Sequence, residues 1–235
     1  MIKGTVIITG SSSGIGRACS KFFLSKNYAV IGVSRTNDVE HKNFHFIQCD
    51  LSQVEDLKKL NFKNLIDNKR ELILINNAGT LGEIKHFDHL KLSHFELLNN
   101  LNVLAPQYLI TLLFSSFSSA KIKAIVNISS GAAKRPIASW GAYCASKAAL
   151  DMYSETLLIE FKEKHIPTKI YSVAPGVVDT NMQKIIRSTS IEDFSEVKNF
   201  ISLKSENKLR NPEDVATMLY ELITFPLQKE VVQRL

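Results

Sequence analysis

TVIITGSSSGIGRACSKFF, residues 5–23, decides the fold. TVIIT is a short apolar, β-branched run, the make-up of a buried strand. IGRACSKFFLSKN, which follows, reads as a helix. Between them lies TGSSSGIG (9–16), with glycines at 10, 14 and 16. Such a turn lets backbone N–H groups approach a pyrophosphate, and the dipole of the helix it opens favours the negative charge. Gly10, Ser12, Ser13, Gly14, Ile15 and Gly16 are the candidate phosphate-binding residues. The spacing G-x-x-x-G-x-G differs from the G-x-G-x-x-G of the commoner dinucleotide fingerprint. A glycine-rich turn alone also serves as a plain strand-to-helix connection, so its weight comes from the strand before it and the helix after it.

The rest of the chain repeats the alternation. AVIGVS (29–34), FHFIQC (44–49), LILIN (72–76), AIVNIS (124–129) and KIYSVA (169–174) read as strands. SQVEDLKKLNFKNLI (52–66), a long region from about Ser93 to Ser118, a segment that Pro167 ends and PEDVATMLYELIT (212–224) read as helices. Asn211 is the expected cap of the last, with Pro212 in its first turn. Short continuous apolar strands between helices imply a parallel sheet covered on both faces. There is no repeat, low-complexity tract or linker, so residues 1–235 form one α/β domain of the doubly wound kind. PLQKEVVQRL (226–235) reads either as a short last strand around Glu230–Val232 or as a frayed tail.

Bulk properties narrow the function. Hydrophobic residues make up 45% and charged residues 22%, the balance of a soluble globular chain. No apolar run reaches the ~20 residues of a membrane span, and MIKGTVIITG lacks the apolar region of a signal peptide. Cys19, Cys49 and Cys144 show no metal-ligand spacing, which suggests reduced thiols and a cytoplasmic location. The net charge of +6 is scattered among acids. It argues for solubility and attraction of an anionic ligand, not for nucleic acid. The histidines, including His86, His89 and His94, form no metal pattern and are expected at surface or loop positions.

A nicotinamide dinucleotide site with NAD places an acid about 20 residues beyond the glycines, on the ribose 2′-hydroxyl. Ser34 and Arg35 stand there instead. An arginine grips a 2′-phosphate with two parallel hydrogen bonds, so NADP is expected over NAD. Arg17 is an expected second cation. Asp38 and Glu40 look to lie beyond the strand, in a turn.

TGSSSGIG, NNAG (76–79), LNV (101–103), NISS (127–130), YCASK (143–147) and PGVVDT (175–180) together resemble the short-chain dehydrogenase/reductase family, in its order and spacing. The resemblance runs from residue 1 to about 225. It implies a Rossmann-type sheet of order 3-2-1-4-5-6-7. It implies that Asp50 and Leu51 contact adenine, and that Asn77, Ala78 and Gly79 pass under the adenosine ribose. Pro175, Gly176, Val178 and Thr180 match the segment around the nicotinamide carboxamide. Ser130, Tyr143, Lys147 and Asn102 match the catalytic set, with Asn102 holding a water behind the lysine. Tyr143 and Lys147 also match the ribose contacts of the cofactor.

Tyr143 and Lys147, four residues apart, share a helix face. By spacing alone, Tyr143 reads more readily as an amphipathic residue of a buried helix; Ser130, Asn102 and the dinucleotide turn reverse that preference. As a proton donor to a ketone, a tyrosine titrating near ~10 needs roughly 4 kcal/mol of preference for phenolate to reach ~7. One cation at ~4 Å in an effective dielectric of ~20 supplies about that much. Lys147 is expected to do so, with Ser130 holding the carbonyl oxygen. Ser129 should point elsewhere. Cys144 lacks a histidine to activate it and reads as a small hydrophobe.

NISSGAAK (127–134), WGAYC (140–144) and PGVVDTNMQ (175–183) look much like bacterial benzil reductases and, less closely, sepiapterin reductases. Trp140, Met182 and Ile186 are candidate substrate-pocket residues, with Ile185, Phe194 and Phe200 in the same region. Residues 180–205 read as a mobile lid, or as a segment simply packed on the body. The expectation is NADPH-dependent reduction of a small apolar ketone or 1,2-diketone. The alternatives are a 3-oxoacyl carrier-protein reductase, a sepiapterin reductase or a non-catalytic NADP-binding sensor. A homodimer is preferred to a monomer, since family members often pair through the helix carrying Tyr143.

Overall fold

The computed structural model describes residues 1–67, 69–225 and 230–235. Strands β1 (Gly4–Thr9), β2 (Ala29–Ser34), β3 (Phe44–Gln48), β4 (Glu71–Asn76), β5 (Ile122–Ile128), β6 (Lys169–Ala174) and β7 (Val232–Arg234) form one parallel sheet. Their order is β3-β2-β1-β4-β5-β6-β7, the Rossmann-type topology expected from the motifs. β7 pairs with β6 through Val232, Gln233 and Arg234, so the short last strand exists and sits slightly later than read. Residues 226–229 of that reading lie outside the described residues.

Strand alternation sorts the core into two layers. Val6, Ile8, Val30, Ile73, Ile75, Val126 and Val173 face α1 (Gly14–Ser25) and α8 (Pro212–Thr224). Ile7, Ile31, Leu72, Leu74, Ile125 and Ile170 face α4 (Ala105–Ser116) and α5 (Gly141–Glu163). Each layer strips water from one face of the same strands, which explains their unbroken apolar reading. The order reverses between β1 and β4. There the carboxyl ends of neighbouring strands diverge and leave a crevice.

Three local expectations change. The segment 52–66 is helical only over α2 (Val54–Lys58). Asn61 then accepts the Lys63 N–H on its side chain, and Asp67 does the same for Lys69, so turns replace the helix. Leu57, Leu60, Phe62 and Ile66 still reach the core from irregular backbone. The Ser93–Ser118 region is α3 (Leu92–Leu98), a π-helical stretch Asn99–Leu104 and then α4. By length and composition, Leu92–Ser116 would suffice to cross a membrane; in this fold Leu98, Leu109, Ile110 and Leu113 are buried against the body. Lastly, Asn211 stands at the N-cap of α8 but makes no capping bond with its side chain.

His94 is buried, not at the surface. Its Nδ1 accepts the Glu83 N–H at 3.1 Å, and its ring fills the space beside Gly82, which holds φ +66. His86 and His89 are exposed.

Polar groups cross the core in a defined chain. Asn76 Nδ2 donates to Asn127 Oδ1 (2.9 Å), Asn127 Nδ2 to Ser154 Oγ (2.9 Å), and Ser154 Oγ to the Leu150 carbonyl (2.7 Å). All three side chains are buried. Asn127→Ala strands a donor on Asn76 and leaves a void, so it should cost about 2–4 kcal/mol, read as a lower urea midpoint at unchanged slope.

Candidate active site

The glycine turn is built by steric necessity. Gly10 and Gly14 hold φ of +65 and +50, a region L side chains rarely adopt. A Cβ on Gly16 would stand 2.1 Å from the Gly10 carbonyl oxygen, so only glycine closes this strand-to-helix turn. A Cβ on Gly14 would meet Thr180 Cγ2 at 3.0 Å, so the turn faces the loop after β6. Ser13 is extended at the N-cap of α1 and makes no side-chain cap bond; Ser12 and Ile15 are partly exposed in the same turn. Ser11 Oγ and Ser34 Oγ lie 3.1 Å apart and tie the turn to the end of β2.

Thr9 joins the turn to the loop after β4. Its Oγ1 accepts the Asn77 and Ala78 N–H groups, both at 2.9 Å, while Asn77 Nδ2 donates to the Thr9 and Gly10 carbonyls. Beyond them, an open cavity of about 350 Å³ is lined by Arg35, Gln48, Cys49, Asp50 and Asp56. Asp50 Oδ1 accepts from Ser52 N and Oγ, while Leu51 is buried. Arg35 is exposed at this cavity. Arg17, the expected second cation, is paired with Asp38 at 2.7 Å. Asp38 therefore lies closer to the turn than its place beyond the strand suggested.

Glycines that fit only without a Cβ, a helix start and a cavity floored by Asp50 make a cradle suited to a dinucleotide. On the opposite side, Gly176 holds φ +76 after the buried Pro175. Val178 bridges to Arg210, and Thr180 is the N-cap of α6 (Asn181–Ser188).

Ser130, Tyr143, Lys147 and Asn102 come together at the carboxyl ends of β4 and β5. Ser130 caps a single 3₁₀ turn, Gly131–Ala133, through an Ala132 N–H at 3.1 Å, and its hydroxyl lies on the Tyr143 side, where it opposes the rise of the phenol's pKa. Lys147 Nζ donates to the Ile128 carbonyl at 2.8 Å and stands 5.8 Å from the Tyr143 ring centre. Ser129 Oγ is buried without a partner among the described residues. Asn102, in the π-helical stretch, bonds Thr80 O (2.9 Å), Thr80 N (3.0 Å) and Ser146 Oγ (3.0 Å). Its side chain is thus a brace between three elements. A Cβ on Gly79 would lie 3.3 Å from Asn102 Oδ1 and 3.4 Å from Lys147 Nζ, so Gly79 keeps the space between them open.

In the protein's own environment burial dominates both groups. Burial pushes the Tyr143 phenol up to about 12, against the opposing bond from Ser130. Burial lowers Lys147 to about 8, with the Asp151 charge opposing the fall. The lysine has the right reach, but its ammonium points at a strand carbonyl and both groups have lost their water. Desolvation is the leading cause of both shifts.

Trp140, at the N-cap of α5, packs edge-on to Tyr143 at 5.8 Å and stacks on Phe194 at 5.2 Å and 11°. Ile186 and Phe200 are buried in this cluster, Met182 packs against it, and Ile185 faces solvent. Two helices supply the cover, α6 and α7 (Val197–Ser205). Asp179 ties both down, to Lys204 at 2.6 Å and Arg187 at 3.9 Å. Cys144 is half-buried, with Sγ 3.8 Å from the Arg135 carbonyl. Thr9, Ser146 and Asp151 were not singled out from the sequence. Only Asp151 carried a local signal, four residues beyond Lys147 on the same helix face.

The short chain dehydrogenase family model matches residues 4–191, and the chain belongs to that family of oxidoreductases. It is 40% identical to the benzil reductase ((S)-benzoin forming) of Bacillus cereus, over 97% of this chain and 98% of the relative. It is 36% identical to the sepiapterin reductase of Rattus norvegicus, over 70% of this chain and 61% of that protein. Among solved structures, a 4-hydroxyisoleucine dehydrogenase complexed with NADH superposes with a TM-score of 0.80 at 28% identity, covering 99% of this chain and 96% of the other.

A buried lysine held below its unfolded value opposes folding while the unfolded chain binds the extra proton. The opposition is fully present below about 8 and fades as pH rises towards the unfolded value near ~10.4. Lys147→Met should therefore be more stable than the wild type at pH 7, by about 1–3 kcal/mol. The gap in urea midpoints should narrow between pH 8 and 10.

Proposed function

We propose that this chain is an NADPH-dependent carbonyl reductase acting on small apolar ketones and 1,2-diketones such as benzil. The observation that carries the reading is the buried Tyr143, with Lys147 one turn on at 5.8 Å from its ring centre, beneath a roof of Trp140, Phe194 and Phe200. The likeness to benzil reductase over nearly the whole chain supports the substrate class.

The residues divide the work. Gly10, Ser12, Ser13, Gly14, Ile15 and Gly16 hold the pyrophosphate, and Asp50, Leu51, Asn77, Ala78 and Gly79 hold the adenosine. Pro175, Gly176, Val178 and Thr180 hold the carboxamide. Ser34 and Arg35 select the 2′-phosphate. Bound NADPH supplies the hydride. Ser130 donates a hydrogen bond to the substrate oxygen, and Tyr143 gives it a proton. A phenol that resists ionisation is a poor donor, so Lys147 has to favour the phenolate as the proton leaves. Asn102 fixes the loop behind the lysine. Residues 180–205 act as a lid whose aromatic underside excludes water and receives an apolar substrate. Trp140 Nε1 is buried without a protein partner among the described residues, which suits a substrate carrying a second oxygen acceptor.

NADPH oxidation with benzil, followed at 340 nm, tests the reading. Tyr143→Phe should lower kcat by about 10²–10⁴ and leave NADPH binding intact by fluorescence titration. Binding without turnover in the wild type would sink the diketone assignment and leave the cofactor standing. Arg35→Ala should cut the preference for NADPH over NADH by about ten- to a hundredfold, the worth of a charge-assisted contact. An unchanged ratio would remove Arg35 from cofactor selection.

A further inference from the structure

Asp151 is a buried acid that the catalytic scheme leaves unused. It lies on α5 one turn beyond Lys147, and the two residues are 3% and 4% exposed. Its Oδ1 accepts a 2.6 Å hydrogen bond from Ser172 Oγ, in the middle of β6. Ser172 is itself fixed, since its N–H donates to the Val231 carbonyl at 2.9 Å. The carboxylate thus has a rigid position in a dry interior, where a lone charge is costly.

The groups facing Lys147 are few. On its own helix are Tyr143 and Asp151. From β5 comes the Ile128 carbonyl, and from the turn after it, beyond Tyr143, Ser130. From the loop after β4 and the π-helical stretch come Gly79 and Asn102 Oδ1. β6 contributes Ser172, which binds the acid. Asp151 is the one charged side chain acting on Lys147 among the described residues.

We propose that Asp151 is a positioning residue whose Ser172-anchored carboxylate keeps the Lys147 ammonium charged in the dry core, so that Lys147 can act on Tyr143 at neutral and alkaline pH. The inference rests on Lys147 working as the charged partner of Tyr143. Burial has already brought the lysine down to about 8 with Asp151 in place, so its margin above neutrality is narrow. Removing the counter-charge lowers the lysine further, and the ammonium is then lost at a lower pH. An asparagine has the same shape and can still accept from Ser172. Asp151→Asn therefore isolates the charge from the packing.

Two readouts on the whole protein test this. The first is the titration of the Lys147 ε-methylene signal by NMR in protein labelled with ¹³C-lysine, assigned by its loss in Lys147→Met. It needs neither cofactor nor substrate. The midpoint should fall by about one to two pH units in Asp151→Asn, and by less, in the same direction, in Ser172→Ala. The second is the pH profile of kcat/KM with NADPH and benzil, whose alkaline limb should move down by the same amount. An unmoved Lys147 midpoint in a folded Asp151→Asn protein would overturn the proposal, whatever happens to activity. If circular dichroism shows that variant unfolded, Ser172→Ala decides, and an unmoved midpoint there is equally fatal. Failure to reduce benzil would count against the substrate reading alone, because the NMR midpoint stands apart from it.

Discussion

Everything around the site follows from burying an ammonium at the end of a parallel sheet. Lys147 has left water, and a carbonyl from β5 is its direct hydrogen-bond partner. A charge in that position survives only if the surrounding groups are fixed and correctly oriented. That requirement explains why the neighbouring elements are held together by side-chain hydrogen bonds as well as by apolar contact. Asn102 joins the loop at Thr80 to α5 at Ser146. Thr9 joins the glycine turn to the Asn77 loop. Each bond fixes a loop at the carboxyl edge of the sheet, where backbone would otherwise be free to move.

The polar chain continues below the site. Proceeding along α5, Ser146, Asp151 and Ser154 meet Asn102, Ser172 and Asn127 in turn. The helix is thereby registered against the π-helical stretch, β6 and β5 by directional contacts. Leucines alone would allow it to slide or rotate at little cost, since hydrophobic contact is not directional. A shift of even 1 Å would take Tyr143 and Lys147 away from Ser130 and the Ile128 carbonyl. Buried polar residues here contribute more to placement than to net stability, because each net bond is worth only about 1 kcal/mol.

What the sequence revealed and what it hid divide by range. The glycine turn and the six clear strands were legible because their causes are local: φ > 0 at Gly10 and Gly14, and apolar runs of strand length. The Tyr143–Lys147 pair was legible because helix geometry sets it. The Asn102 brace was not, because its partners lie 22 and 44 residues away. Helix 52–66 was over-read, since a leucine pattern does not show that Asn61 and Asp67 will take up backbone N–H groups. The burial of the pair was not legible for a similar reason. Spacing places the two groups on one helix face but does not show the loss of water around them, which is the leading cause of both pKa shifts.

The aromatic cover over Tyr143 brings these points together. Trp140 sits three residues before Tyr143 and stacks on Phe194, which is fully buried. The same aromatic cover that keeps water from Tyr143 also keeps its phenol from ionising. A polar substrate entering here would exchange hydration for an apolar roof and lose by it. A flat, apolar substrate exchanges one aromatic contact for another, so opening the stack costs it little net burial. On the proposed reading, the dryness that makes Lys147 hard to keep charged therefore also selects what can enter. On that reading, substrate choice and proton donation share one physical condition, the exclusion of water by Trp140, Phe194 and Phe200 above a buried cation.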